Sequence, residues 1–331
     1  MRRTALLLAT GLLIQGCESP SDLPLVFPAA GDVRVLAYLD EDGDGRRGDF
    51  DSPLAGLPVE VRFWNSLGTV DQGVTDANGE LTLVRIGVGA MRLDPVPSFI
   101  GDTLVVVEGA DNPFTVRPDT TVVLTVGLSY PTVPLAGVAA LPVGRRVFSS
   151  GIALNSRENF GDGEVHLRLG STALRATRVD RVGVSAGDSV RIVGRTRLVE
   201  GQMTLDSARI IVLSGAVALV QPQDVSTAEA ASAAGGSLGA GLVRVQEALI
   251  TGVRTVGPNR VVTMSDGSGP VEMVVRDYLQ IDGTLLIPGT TVVRGAGLLR
   301  PTPGGGGASW QLFPRNASDL SLRAAPPPSG G

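Results

Sequence analysis

The sequence predicts an all-β protein. Glycine and proline recur throughout the chain, 44 and 22 times in 331 residues, and they separate short runs rich in Val, Leu, Ile and Thr. This composition is typical of strands bounded by turns. In runs such as 33–39 and 59–63, apolar and polar residues largely alternate, as a strand with one buried face requires. Helical signal is confined to 226–234, where Ser226 and Glu229 match a capping box.

The first residues have the pattern of a secretory signal. Arg2 and Arg3 precede the largely apolar run 5–14, and the only cysteine of the chain follows at Cys17. Ten residues of helix reach about 15 Å, which is half the apolar thickness of a bilayer, so this run is too short for a membrane span. We therefore expect an exported protein.

The sequence Leu-Ile-Gln-Gly-Cys at 13–17 resembles the lipobox of bacterial lipoproteins. The resemblance implies that residues 1–16 are a signal peptide, that Cys17 carries the lipid and that the lipid attaches the protein to a membrane. Glu18 is not the aspartate that the family associates with inner-membrane retention. The expected location is therefore the bacterial outer membrane or the cell surface.

Charge and proline content divide the rest of the chain into three units. Acidic residues dominate 18–130, arginines are in excess in 131–215, and the two balance in 216–331. Proline-containing stretches at both boundaries favour linkers, because proline cannot continue a strand ladder. The expected order is a disordered tether at 17–30, units at 31–128, 134–215 and 218–323, and a disordered tail at 324–331.

An acidic loop in the first unit has the spacing of an EF-hand-like calcium site. Such a loop carries carboxylates at positions 1, 3, 5 and 12 and a main-chain carbonyl at position 7. Here these positions hold Asp40, Asp42, Asp44, Asp51 and Arg46 respectively. A solvated Asp/Gly turn is the alternative. We predict structural Ca²⁺, because carboxylates crowded at alternate positions repel one another without a cation.

The segments around this loop resemble a known domain family. Residues 54–61, the stretch Thr-Asp-Ala-Asn-Gly-Glu-Leu-Thr-Leu at 75–83 and Gly-Val-Gly at 87–89 look like the B-repeat domains (SdrD-like, Cna-B-like) of Gram-positive surface adhesins. The resemblance implies a prealbumin-like β-sandwich that acts as a stalk or spacer. Some of these domains form a Lys-Asn isopeptide bond, which is excluded here because the chain has no lysine.

The second and third units share one plan of a long strand, a hairpin and two further strands. Five strands in this order resemble OB-fold β-barrels. Two stretches of the third unit, 264–269 and 310–320, look most like OB modules attached to extracellular nucleases, although the nuclease part is absent. The predicted fold class is therefore all-β, with an N-terminal prealbumin-like sandwich followed by two tandem OB-like barrels.

OB barrels bind oligonucleotides or oligosaccharides on one face. The candidate ligand-binding residues are Arg168, Arg191, Arg195, Tyr278, Trp310 and Arg315. Each has a second interpretation: the arginines can form a solvated outer face, the aromatic residues can pack in the core, and Arg315 can pair with Asp319. An oligonucleotide, an oligosaccharide and a protein all remain open as ligands.

Catalysis is not expected. The chain has one histidine and one cysteine, which excludes disulfides, Cys/His metal sites and most catalytic triads. The predicted function is that of a monomeric, membrane-anchored lipoprotein that displays two OB-like binding modules on a calcium-stabilised spacer. The alternatives are an extracytoplasmic nucleic-acid-binding accessory of a nuclease, and a structural or adhesive surface protein without a small ligand.

Overall fold

A computed structural model describes residues 29–160, 163–180, 183–215, 220–305 and 309–326. The predicted signal peptide at 1–16, Cys17, nearly all of the predicted tether and residues 327–331 of the predicted tail lie outside these ranges. None of the helices in the described ranges is long and apolar enough to cross a membrane.

The first unit is a sandwich of two sheets, here called the sandwich. One sheet has the order β2-β1-β9-β7 with β5 also paired to β1, and the other has the order β4-β3-β6-β8. A helical turn, α1 (Pro97–Ile100), follows β6. The strands are β1 (Ala30–Asp40), β2 (Ser52–Pro53), β3 (Pro58–Phe63), β4 (Thr69–Val74), β5 (Glu80–Gly87), β6 (Gly89–Pro95), β7 (Val105–Glu108), β8 (Phe114–Val116) and β9 (Thr121–Ser129).

Alternation along the strands builds the core of the sandwich. Val33 and Val35 of β1 face inward and pack with Val59 and Val61 of β3, and all four are fully buried. Their neighbours along each strand point to the other face, as the two-residue period of a strand requires. Because β1 is central in its sheet and ends at Asp40, it places the start of the acidic loop at the edge of the core.

The second unit is a closed five-stranded barrel, here called barrel 1, with the order β10-β11-β12-β14-β13. The third and fifth strands pair in parallel, and the other neighbours are antiparallel. A short helix, α2 (Leu135–Val138), precedes the first strand. The strands are β10 (Arg146–Ala153), β11 (Val165–Leu169), β12 (Thr172–Thr177), β13 (Ser189–Val199) and β14 (Gln202–Ser214).

The third unit repeats this pairing and is here called barrel 2. Its five long strands follow the order β16-β17-β18-β20-β19 and close through β16 and β19, with β15 and β21 added outside. Helix α3 (Thr227–Ser232) covers one end. The strands are β15 (Gln223–Asp224), β16 (Leu242–Val256), β17 (Asn259–Ser265), β18 (Pro270–Val275), β19 (Thr291–Pro301), β20 (Trp310–Phe313) and β21 (Leu320–Ala324).

The predicted fold class is confirmed, since a sandwich is followed by two five-stranded barrels. A helix forms where it was predicted at 226–234, but it ends at Ser232 because Ala233 and Ala234 adopt left-handed backbone conformations. The Ser226 side chain accepts from the Glu229 main-chain N–H, and the Glu229 carboxylate accepts from the Ser226 N–H. This capping box satisfies main-chain donors that a six-residue helix would otherwise leave exposed.

Candidate functional site

The acidic loop brings three of its predicted metal ligands together. One carboxylate oxygen from each of Asp40, Asp42 and Asp44 lies within 4.8 Å of the other two. Asp40 is buried, and its two oxygens accept the main-chain N–H groups of Gly43 at 2.6 Å and Gly45 at 3.1 Å. Both glycines adopt left-handed backbone conformations, which other residues rarely do. The loop therefore bends around the three carboxylates.

The electrostatics of this group favour a cation. Burial raises the pKa of Asp42, and the neighbouring charges of Asp44 and Asp40 act in the same direction, while a hydrogen bond from the Asp44 N–H opposes them. Carboxylate oxygens at this spacing are ligands that Ca²⁺ accepts. A bound cation would relieve the repulsion that raises the pKa of Asp42.

The other two predicted ligands, Asp51 and Arg46, form hydrogen bonds within the loop. The Asp51 carboxylate accepts main-chain N–H groups of Glu41 at 3.0 Å and Gly48 at 2.6 Å, so it closes the loop upon itself. The Arg46 N–H donates to Asp44 Oδ1 at 2.8 Å. Within the described residues, the acidic side chains close enough to share an ion are therefore those of Asp40, Asp42 and Asp44.

Barrel 1 contacts this acidic loop from the side. Arg191 of β13 donates to the main-chain carbonyl oxygens of Asp42, at 3.1 Å, and of Gly43. Arg209 of β14 lies 3.3 Å from a Glu41 carboxylate oxygen, and its guanidinium lies 5.4 Å from the centre of the Phe50 ring. We call this contact the loop junction.

A second contact, here called the barrel junction, joins the two barrels. The Phe160 and Phe313 rings meet edge to face at 6.5 Å, and both lie in a buried apolar cluster that includes Leu154 of barrel 1 and Leu242 and Leu298 of barrel 2. Aromatic pairs in this geometry contribute beyond the area that they bury. The junction therefore has a core of its own.

Three buried side chains that carry or can carry charge, and a partly exposed arginine, lie beside this core. Glu164 of barrel 1 pairs with His166 at 2.7 Å, Arg175 at 2.9 Å and Arg300 of barrel 2 at 2.9 Å. Burial alone would raise the pKa of Glu164, but the hydrogen bond and charge of His166 and the charges of Arg300 and Arg175 lower it to about 2. Glu164 thus stays ionised within the interface.

The histidine ring is held from both sides. His166 Nε2 faces the Glu164 carboxylate, and Nδ1 faces the main-chain oxygen of Ala240 in barrel 2 at 2.8 Å. Both partners are acceptors, so a ring nitrogen that carries a proton can donate to the group that it faces. The ring is fully buried and both nitrogens are occupied. His166 therefore links the barrels.

The predicted ligand-binding residues do not converge on one barrel face. Arg191 lies at the loop junction. Arg315 pairs with Asp319 at 2.9 Å and donates to the Leu154 carbonyl of barrel 1 at 2.8 Å, so it belongs to the barrel junction. Trp310 is 6% exposed and packs in the core of barrel 2.

The other three residues of the predicted set lie nearer the surface. Tyr278 is 46% exposed, and Arg195 is exposed on β13. Arg168 points its Nη1 toward the Gln221 carbonyl at 3.4 Å. Arg209 and Arg300 were not predicted as functional residues, because their partners Glu41 and Glu164 are distant in the chain. Glu164 was not predicted either, although its partner His166 is only two residues away.

Comparisons with known proteins give likenesses in structure only. No family model matches the chain, and no curated protein gives a significant match. The minor pilin GBS52 of Streptococcus agalactiae matches with 18% identity and a TM-score of 0.24 over 32% of this chain and 47% of the pilin. The chain thus spans about half the length of that pilin.

Two further structures illustrate the range of matches. The Ifi202 HINa domain, crystallised with a 20-base-pair double-stranded DNA, is 10% identical with a TM-score of 0.25 and covers 56% of this chain and 97% of the domain. The Bacillus anthracis TIE protein is 10% identical with a TM-score of 0.25 over 83% of this chain and 46% of its own. At these values the matches carry no argument about function.

Proposed function

We propose that the protein is an exported, lipid-anchored, non-catalytic surface protein that holds two OB-like barrels in a fixed arrangement on a sandwich spacer. The observation that carries this proposal is the barrel junction. There the buried Glu164 carboxylate pairs with the buried His166 and Arg175 side chains and with the partly exposed Arg300 of the other barrel. Groups that could otherwise act in catalysis thus serve to fix one barrel to the other.

Lipid anchoring rests on the lipobox-like sequence that ends at Cys17. The test is expression of the full chain in a Gram-negative host fed labelled palmitate, with Cys17→Ser as the control. The wild type should carry the label and sediment with membranes, whereas the variant should do neither. An unlabelled wild type would end the anchoring proposal and leave the fixed arrangement of the barrels standing.

Structural Ca²⁺ in the acidic loop is the second part of the proposal. It is supported by the approach of Asp40, Asp42 and Asp44 and by the raised pKa of Asp42. The sandwich would then act as a spacer whose end is stiffened by the ion at the loop junction. Calcium titration of the full chain tests this part.

Nucleic-acid binding is the second candidate function, and one observation favours it. Arg195 is exposed on barrel 1, and within the described residues it has no bonded partner. Retention of a labelled single-stranded oligonucleotide by the full chain at moderate salt, and its loss in Arg195→Ala, would support this candidate. The junction roles of Arg191 and Arg315 weaken it, since a single-strand binder needs a continuous basic groove.

A further inference from the structure

A cleft of about 710 Å³ lies between the two barrels. Helix α2 and strand β12 of barrel 1 form one wall, and the 236–239 loop with Gln223 of barrel 2 forms the other. A second cleft of about 370 Å³ continues from it, and Ser171, Ala173, Gln223 and Leu238 line both. The combined groove has the size of a site for a small elongated molecule.

Small residues keep this groove open. Ala136, Ala139 and Ala173 line the barrel 1 side. On the opposite side Gly239 passes directly over Trp310, since a Cβ atom at Gly239 would lie 2.8 Å from the indole ring. The loop therefore rests on the indole, and any larger residue at Gly239 would displace one of the two.

The charge of the residues that line the groove distinguishes between the possible ligands. Among the residues that the structure describes, no Asp, Glu, Arg or His lines the larger cleft, and Arg168 is the one charged residue that lines the smaller cleft. A nucleic acid or an acidic polysaccharide needs several cations to offset its charge. The groove lacks them, so it suits an uncharged molecule.

The larger cleft carries four neutral polar side chains that are available to a ligand. In the described part of the chain, the side chains of Ser171, Thr172, Gln202 and Gln223 line the cleft and form no hydrogen bond with another residue. Carboxamides and hydroxyls can each donate and accept. They match the hydroxyl and acetamido groups of sugars, while Leu174 and other apolar wall residues can pack against C–H faces.

The backbone of the groove argues against a peptide as the occupant. Extended peptides commonly bind by adding a strand to a free sheet edge. Strand β12 already pairs with β11 and β14, and strand β20 already pairs with β18 and β19. Side-chain recognition of a neutral polyhydroxyl molecule fits this geometry better.

We propose that the inter-barrel groove binds an uncharged oligosaccharide, with Gln223 and Ser171 as contact residues shared by both clefts. This inference deepens the proposed display function by naming the ligand class of the barrels. It depends on the barrel junction, which fixes the two walls, and on neither the lipid nor calcium.

The test uses the full chain in detergent on a printed array of neutral hexose, deoxyhexose and N-acetylhexosamine oligomers, with acidic oligomers beside them. Titration calorimetry then measures the best neutral binder, and we expect a Kd between about 10 μM and 1 mM. Gln223→Ala should weaken it at least about fivefold, the loss of one neutral hydrogen-bond partner. Ala139→Trp should abolish binding by filling the cleft.

The matched control is Ala140→Trp, which adds the same side chain at the next exposed residue, outside the cleft. It should leave the Kd within about twofold. The proposal is overturned if no neutral oligomer binds at about 1 mM, if acidic oligomers bind better, or if Ala139→Trp binds as the wild type does. If no neutral oligosaccharide binds but the wild type still carries labelled palmitate, the oligosaccharide proposal fails and the proposed function as an anchored protein stands.

Discussion

The two junctions of this molecule are built in opposite ways. The barrel junction buries an aromatic pair, Phe160 and Phe313, and neutralises the Glu164 carboxylate inside the interface. The loop junction is polar and partly exposed, and its bonds from Arg191 end on main-chain oxygens of the acidic loop. Between the sandwich and barrel 1 there is also an ion pair at 2.8 Å, formed by the exposed Asp102 and the partly buried Arg145.

This difference determines what can loosen each junction. Removal of one charge from a buried network weakens the whole network, because the opposite charges that it had balanced stay in the interface without it. Hydrogen bonds to a loop backbone depend on the conformation of that loop. We therefore expect the barrel junction to be strong and insensitive to ions, and the loop junction to be weak and dependent on what occupies the loop.

Glu164→Ala should have the largest effect. It leaves the buried Arg175 guanidinium and the partly exposed Arg300 guanidinium without their shared carboxylate, a loss that costs about 3–5 kcal/mol. Calorimetric unfolding of the full chain should show the barrels losing stability and the sandwich transition unchanged. The control is Glu200→Ala, which removes the other carboxylate near Arg175, at 3.7 Å and partly exposed, and should cost below about 0.5 kcal/mol. Equal losses in the two variants would mean that the buried network does not hold the barrels.

Acid should weaken the barrel junction by a related route. The pKa of Glu164 is lowered to about 2 from an ordinary value of 4.5, so its contribution is complete above about pH 4.5 and is lost as the pH falls toward about 2. A lowering of the pKa by this amount corresponds to about 3 kcal/mol in the free energy of unfolding.

Unfolding of the wild type and of Glu164→Ala from pH 6 down to about pH 2 measures this dependence. The stability of the barrels should fall in the wild type and change much less in the variant. Parallel curves would show that other carboxylates dominate the acid response.

The sequence predicted the fold class because strand alternation and turn residues are local. Val33 and Val35 alternate with polar neighbours, and their side chains enter the core as that pattern requires. The acidic loop was also readable, since Asp40, Asp42 and Asp44 are close in the chain and approach one another in space. Local spacing therefore predicted local structure.

The contacts at the two junctions could not be predicted from the sequence in this way. Arg191 reaches the carbonyl oxygen of a residue 149 positions earlier, and Arg315 reaches Leu154 across 161 positions. Alternating arginines on a strand look the same whether they face solvent, a ligand or another domain. Only the packing of one unit against the next determines which of these each arginine contacts.

Calcium should stabilise the loop junction and leave the barrel junction unchanged. Binding to the folded loop adds about 2 kcal/mol at roughly thirtyfold excess over the Kd. Asp42→Ala should abolish the heat of calcium binding to the full chain, while Asp111→Ala, an exposed carboxylate elsewhere in the sandwich, should retain it. A wild type that gives no heat, or a gain of stability confined to the barrels, would contradict the calcium site.

Arg191→Ala should have the smallest effect on stability and a clear effect on geometry. Arg191 is partly exposed, and its bonds go to neutral carbonyl oxygens of Asp42 and Gly43, so its loss should cost about 1 kcal/mol or less. Because these bonds help hold the sandwich against barrel 1, small-angle scattering should show a broader distribution of sandwich positions. Arg195→Ala, on the same strand and exposed, is the matched control and should scatter as the wild type does. If calcium restores the wild-type scattering of Arg191→Ala, the conformation of the acidic loop determines the position of the sandwich, and the Arg191 hydrogen bonds only reinforce it. If calcium does not restore it, the Arg191 hydrogen bonds are the main link between the sandwich and barrel 1.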